Sequence, residues 1–499
     1  MITKISKIKM NSYSFVLLSI ILAFSFIFTG YHPVNAAPDF DSKQVRLKWI
    51  VPGSGDQADK QLVEGHINKY LKDKLNAALD LTTFNWAEYN EKIKIYIAAG
   101  EQYDINFTSS WTADYWHLAS VDVYKDLTDM LDEYAPKTKV LLGDKILKGA
   151  DINGRIYALP VYNTNIVHSS GILLNKKLVQ KYKIDTSKIK KLQDLESTLK
   201  TIKAKESKVI GFYPFDSYSG TVINTINFDK FVYNSPGAVL RDGNSTKVVN
   251  EFETNDAKTL FFLMNKWYKA GYIPKSADAS NYYFNNNKSK IFAMYSNITA
   301  TKCEDLLADE KLDMIAVPLS RSSITSERVT AAMHAISAMC KNPERALMFL
   351  ELVNTDETLS NLINYGVEGV HYKKAGKATI TQLPRGVEKY NPDSQWMFGN
   401  ETITYSLPER TSKAWTTLDE SVKKAIASPL LGFSFDPEPV AVEIHNLNDI
   451  TNKYVNDLSI GKVNPTSTLT KMNNELKNAG LQKVLTEMQQ QVDKFKKSN

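Results

Sequence analysis

The chain has 499 residues, 43% hydrophobic and 23% charged, enough apolar material for a large buried core and two or three domains. Its formal charge is +6, and without the lysines near the amino terminus this falls to about +3, too weak a basic balance for a nucleic-acid partner. Two cysteines, Cys303 and Cys340, leave room for one bridge at most and exclude a disulfide framework as the basis of the fold.

The amino terminus reads as a secretion signal. Lys4, Lys7 and Lys9 precede a nearly unbroken apolar run over 15–28, and Val34-Asn35-Ala36 places small residues where a signal peptidase reads. Cleavage after Ala36 is expected, which puts the protein outside the cytoplasm, secreted or held at the cell surface. The run is slightly short for a membrane span. No cysteine lies near the cleavage point, so a lipid anchor on cysteine is not expected.

In the mature chain, residues 46–51 read as a strand, 57–79 as a helix and 79–86 as a second strand. A second helix, 87–99, stops at Gly100, and a third strand spans 104–108. This alternation predicts a parallel sheet with right-handed crossovers. Gly53-Ser-Gly55-Asp-Gln-Ala58 matches the spacing of a dinucleotide fingerprint. The match is short and Pro52 sits in the turn, so a tight turn without a cofactor is the reading.

The stretch Asp104-Ile-Asn-Phe-Thr-Ser-Ser-Trp111 is the centre of the chain's organisation. A helix, a glycine stop and a short apolar strand lead to small polar residues and aromatics at the strand's carboxyl end. In open α/β sheets ligands bind there, in the crevice outside the strand ends. Farther on, Pro160 suits a chain passing from one domain to another. Helices are expected over 187–203, 256–270 and 342–353, and strands over 166–174, 209–215 and 291–295. Residues 313–319 read as a strand returning to the first domain. The last third reads as helical, with Gly480 dividing the final amphipathic run into two helices.

These elements carry a resemblance. The secretion signal, Ile97-Ala-Ala-Gly100, the strand leading to Trp111, Gly154-Arg-Ile-Tyr-Ala-Leu-Pro160 and Asn175-Lys-Lys-Leu occur in the order seen in extracellular solute-binding proteins of ABC transporters, carbohydrate type. Lys341-Asn-Pro-Glu-Arg-Ala-Leu-Met-Phe-Leu350 and Asn364-Tyr-Gly-Val-Glu-Gly-Val-His-Tyr372 continue the pattern. The tail, with Gly432-Phe-Ser-Phe-Asp436, Tyr454, Gly461 and Ala479-Gly480-Leu481, is similar to a carboxyl-terminal domain of unassigned role in a lipoprotein-like branch of that family. The chain departs from the branch in lacking the lipid-anchoring cysteine.

The resemblance implies an α/β fold of the periplasmic-binding-protein type, with two lobes closing on a ligand and a mainly helical carboxyl-terminal region. It places 37–163 and about 320–385 in the first lobe, and 164–319 and about 386–499 in the second. It also implies an oligosaccharide ligand, a membrane permease of an ABC transporter as partner, a monomeric receptor, and no cofactor or metal.

Sugar sites favour aromatic rings, because the C–H face of a pyranose packs on a π-face. Polar groups must then pair the hydroxyls, since an unpaired buried donor costs about 1–3 kcal/mol. The aromatic candidates are Trp86, Trp111, Trp116, Tyr162, Tyr213, Tyr365 and Trp396. The polar candidates are Ser54, Ser109, Ser110, Asp114, Asn163 and Glu368. Enzyme signatures are sparse: there is no paired-histidine metal motif, no P-loop and no G-x-S-x-G elbow. A polysaccharide hydrolase would need two facing carboxylates, such as Asp114 with Glu368 or Asp436 with Glu438. A non-sugar solute receptor and a surface protein without a small ligand are the remaining readings.

Overall fold

The computed structural model describes residues 43–216, 220–241, 245–392, 394–408, 410 and 413–498. The expected signal segment and its cleavage site at Ala36 lie outside the described residues. From Val45 onward the chain is one unit built on two main sheets.

The first lobe opens with β1 (Val45–Gly53), α1 (Lys60–Leu75), β2 (Ala77–Asn85), α2 (Trp86–Ala99) and β3 (Ile105–Thr108). A short helix α3 (Tyr115–Ser120), then α4 (Pro136–Ala150) and β4 (Ala158–Pro160) follow. β1 pairs in parallel with both β2 and β3. Leu47, Trp49, Ile50 and Val51 of β1 are fully buried, as expected of a central strand covered on both faces. Gly100 ends α2 in the left-handed region (φ 63°), where its N–H caps Ile97 O.

The second lobe contains β5 (Ser169–Asn175), α5 (Glu196–Lys205), β6 (Ile210–Tyr213), α6 (Asn255–Lys269), β7 (Ile291–Ile298), α7 (Lys302–Glu310) and β8 (Met314–Pro318). Its sheet runs β8-β5-β7-β6. The chain then returns to the first lobe as β9 (Met333–Ile336), α8 (Pro343–Thr355) and α9 (Glu357–Tyr365). β9 lies antiparallel between β3 and β4, so the first sheet is mixed, in the order β2-β1-β3-β9-β4.

The expected helix over 187–203 begins only at Glu196, after 3-10 turns at Thr186–Lys188 and Leu192–Leu195, and the placement of two further segments changes. The strand over 313–319 does not return to the first sheet. As β8 it lies antiparallel on β5, from Met314 opposite Asn175 to Pro318 opposite Gly171. A five-residue apolar strand carries no mark of the sheet it joins, and that choice rests on distant partners. The segment after residue 386, expected with the second lobe, begins by packing on the first. The hydroxyl of buried Tyr390 donates to Ile363 O at 2.8 Å, and Asn400 Nδ2 donates to Asn354 O at 3.1 Å.

The chain ends in α10 (Ala441–Ile460), α11 (Pro465–Asn478) and α12 (Leu481–Ser498). Gly480 divides the last two (φ 98°). Their apolar faces, including Leu447, Leu458, Met472, Val484 and Met488, join one core with Phe212, Phe261, Trp267 and Phe292 of the second lobe. The two cysteines are free: Cys303 is half-buried on α7, and buried Cys340 donates to Asp104 Oδ1 at 3.0 Å.

Candidate ligand-binding site

The carboxyl ends of β1, β2 and β3 lead into Ser54, Trp86 and Ser109–Trp111 respectively. Trp86 is the first residue of α2, so the strand-to-helix junction holds its ring at the sheet edge. Trp111 sits in the loop after β3. That loop is fixed by the Ser110 N–H donating to Thr330 O and the Trp111 indole N–H donating to Ala331 O, both at 2.8 Å.

Trp396 comes from a distant turn, yet it stacks on Trp86 with centroids 5.6 Å apart and planes 13° from parallel. Trp111 lies 5.5 Å from Trp86 and 6.5 Å from Trp396. Phe107 of β3 packs beneath all three, at 6.0, 6.1 and 6.2 Å. The three indoles form a surface platform, with Trp111 55% and Trp86 37% exposed.

The platform is anchored to the core through His334 of β9. The Trp49 indole N–H donates to His334 Nδ1 at 3.1 Å. An indole nitrogen only donates, so Nδ1 accepts and the proton sits on Nε2, which donates to Met397 O at 2.6 Å. Burial holds the ring neutral, with its pKa lowered to about 4. Asn163 completes the anchor: its Nδ2 donates to Trp396 O at 2.6 Å. His334 and Phe107 carried no sequence signal beyond strand membership.

The other predicted residues have internal partners. Ser109 is fully buried and its Oγ organises the turn, accepting from the backbone N–H of Trp111 and of Thr112. Asp114 is exposed and caps α3, accepting from the N–H of Trp116 at 3.1 Å and of His117 at 3.3 Å. Trp116 packs edge-on against Tyr115. Ser54 accepts from Gln57 Nε2 and lines a groove with Thr83, Tyr390 and Phe398. Tyr162 is buried in the crossing segment and donates to Asp419 at 2.8 Å. Tyr213 is 2% exposed, donates to Asp278 O and stacks on Tyr283 within the second-lobe core. Tyr365 is 4% exposed and donates to Tyr405 O. Glu368 is exposed and pairs with Lys374 at 3.4 Å. The carboxylate pairs considered for hydrolysis thus have other duties: Asp114 is a cap, Glu368 a surface ion pair, and Asp436 accepts the Glu438 backbone N–H in a turn.

On the second lobe, a polar group missed in the sequence lies at the ends of β6 and β7. Asp216 is 5% exposed and accepts from Ser296 Oγ and from Lys302 Nζ at 3.1 Å. Nearby, Arg410 bridges Asp305 of α7 at 2.6 Å and buried Glu401 at 3.1 Å. The backbone N–H of Glu401 in turn donates to Tyr162 O. This ionic bridge ties the second lobe to the crossing segment.

Residues 66–367 match the family model described as bacterial extracellular solute-binding protein, more than half of the chain. The chain belongs to this family. A second model, described as a domain of unknown function (DUF3502), matches residues 429–497 of this solute-binding protein, the helical tail. The chain is 29% identical over 467 residues to a carbohydrate ABC transporter substrate-binding protein of Streptococcus pneumoniae serotype 4, covering 93% of each. It is 21% identical to the polygalacturonan/rhamnogalacturonan-binding protein YtcQ of Bacillus subtilis, over 84% of this chain and 86% of that one. Among solved structures it resembles the N-glycan transport solute binding protein NgtS of Streptococcus pneumoniae, at 28% identity and a TM-score of 0.78, covering 90% of this chain and 99% of that one. Against NgtS in complex with Man5GlcNAc the TM-score is 0.63, over 91% and 99% at the same identity.

Proposed function

We propose that this solute-binding protein is an extracytoplasmic receptor that captures an oligosaccharide between its lobes and passes it to the membrane permease of an ABC transporter. The observation that carries this reading is the platform of Trp86, Trp111 and Trp396. Three mutually packed indoles at the carboxyl ends of parallel strands, with Trp111 and Trp86 partly open to solvent, offer aromatic surface of the kind a pyranose face needs. Leaving such area exposed is unfavourable unless something covers it. Ser54 and Ser110 at the ends of the first-lobe strands, and the Asp216 group of the second lobe, are the polar partners we assign to sugar hydroxyls. The S. pneumoniae and B. subtilis relatives, described as carbohydrate binders, support the same substrate class.

The mechanism is lobe closure. A ligand touching both lobes favours the closed state, and only its differential affinity for that state drives the shift. The receptor acts as a monomer after cleavage near Ala36, and no hydrolytic role is assigned to it.

A thermal-shift screen of the mature protein against neutral and acidic oligosaccharides tests this reading. A ligand at 100 times its dissociation constant adds about 2.7 kcal/mol to stability. A selective rise, with a smaller radius of gyration in solution scattering, is the expected result. A flat panel, or release of shortened products from a polymer, would refute it.

A further inference from the structure

Among the described residues, three cations around the junction of the lobes are neutralised and the half-buried Arg328 is not. Lys302 pairs with Asp216 at 3.1 Å, Arg241 with Asp229 at 2.6 Å, and Arg410 with Asp305 and Glu401. Arg328 has no ion pair and no side-chain hydrogen bond among the described residues, and its Nε is buried without an acceptor. It sits in the short helical turn Ser326–Val329, between the crossing segment and β9. Two and three residues later, Thr330 and Ala331 supply the carbonyls that hold the Trp111 loop. The Arg328 charge reaches Tyr295 of β7 in the second lobe and His168 in the crossing segment. His168 is 7% exposed, and its Nδ1 is also buried without a partner. A guanidinium without a counter-charge and a buried imidazole nitrogen without a partner thus lie within electrostatic reach of each other, on segments adjoining the Trp111 loop and the second sheet.

We propose that Arg328 receives a carboxylate of the ligand, so that the substrate class is an acidic oligosaccharide carrying a uronic or sialic acid. This rests on the oligosaccharide reading above. Lobe closure removes water from the junction, and a guanidinium desolvated without a counter-charge is strongly disfavoured. A neutral sugar would pair the N–H groups but leave the charge uncompensated. A carboxylate satisfies both, and its planar oxygens match the guanidinium fork. Arg241 cannot serve in its place, because Asp229, Asn227 and Phe228 O already occupy its donors.

The test is calorimetric titration of the mature protein with trigalacturonic acid, with sialyllactose, with the carboxyl-reduced form of each, and with a neutral mannose oligosaccharide. One acidic probe should bind, identifying uronate or sialate as the source of the carboxylate. Its carboxyl-reduced form should bind at least about 30-fold more weakly, because a desolvated charge loses its partner. Arg328→Gln should impose a similar loss on the acidic probe, with Arg328→Lys in between, and added salt should weaken the acidic probe more than any neutral one. The comparison of each acid with its reduced form uses the unaltered protein and does not depend on how the variants fold. Equal binding of the acidic and reduced forms, or tight binding of the mannose oligosaccharide unchanged by Arg328→Gln, would overturn the inference while leaving the receptor reading intact. Failure of every oligosaccharide to bind would overturn both.

Discussion

At the scale of residues, the site depends on rings whose contacts differ in kind. Trp111 exposes about half of its surface while its N–H is held by Ala331, so the face is free and the orientation fixed. Trp111→Ala and Trp86→Ala should each weaken oligosaccharide binding by about 2 kcal/mol, the order of a binding hot spot, with little change in melting temperature. Tyr213→Phe should leave affinity unchanged, since its hydroxyl serves Asp278. Titration calorimetry of the three variants separates these outcomes. His334 contributes through its protonation state. Its folded pKa of about 4 lies below the ordinary histidine value near 6.5, so only the unfolded chain takes up the proton between them. Stability contributed above pH 6.5 should therefore fall by about 3 kcal/mol as the pH drops to 4, and level off below that. Buried His168, held neutral by desolvation and the charges of Arg328 and Arg241, adds a loss of the same sign. Glu401, raised by burial, acts in the opposite sense. The slope lost in His334→Gln across this window, read from denaturant titrations, isolates the one ring.

At the scale of elements, the helical tail is built into the second lobe. Asn265 of α6 donates through Nδ2 to Gly461 O and to Val463 O, both at 2.8 Å. Gly461 ends α10 in the left-handed region (φ 81°), and any Cβ there would collide with the Met264 carbonyl. Gly461→Val should cost about 3 kcal/mol or more, combining backbone strain with a forced separation of α10 from α6. It should lower the melting temperature of the whole second lobe and the tail in one transition. Two separate transitions would show that the tail is an independent domain. Element positions were largely legible in the sequence, because α2, α6, α8 and the two helices around Gly480 follow strong periodicity or clear stop signals. The sheet partners of β8 and β9 were not, since each is a short apolar strand and pairing is set by distant residues.

At the scale of the molecule, one link between the second lobe and the crossing segment is ionic. Arg410 compensates Glu401, which is 3% exposed and also accepts the Thr164 N–H at 3.0 Å. Arg410→Met should destabilise the protein by about 3–5 kcal/mol, because a carboxylate is left buried without a partner. Glu401→Gln in the same chain should recover most of that loss, since the amide carbonyl still accepts from Thr164. Chemical denaturation of the single and double variants would show it, and equal losses in both would mean that Arg410 acts through packing. The bridge couples α7 of the second lobe to the segment that follows Trp396, so the double variant should also reveal whether closure tolerates a neutral link.

The sequence by itself determined the α/β class, the strand-end position of Trp111 and the solute-binding family. These follow from local quantities: periodicity, glycine and proline stops, and motif order along the chain. Only the tertiary structure decided which aromatics assemble. Trp86, Trp111 and Trp396 come from two distant parts of the chain and meet because Asn163 and His334 hold the Met397 turn against β3, while Tyr213 and Tyr365, equally plausible by type, turn into cores. It also decided that Arg328 stands without a counter-charge, because a charge balance depends on which side chains converge after folding, and no local pattern carries that information.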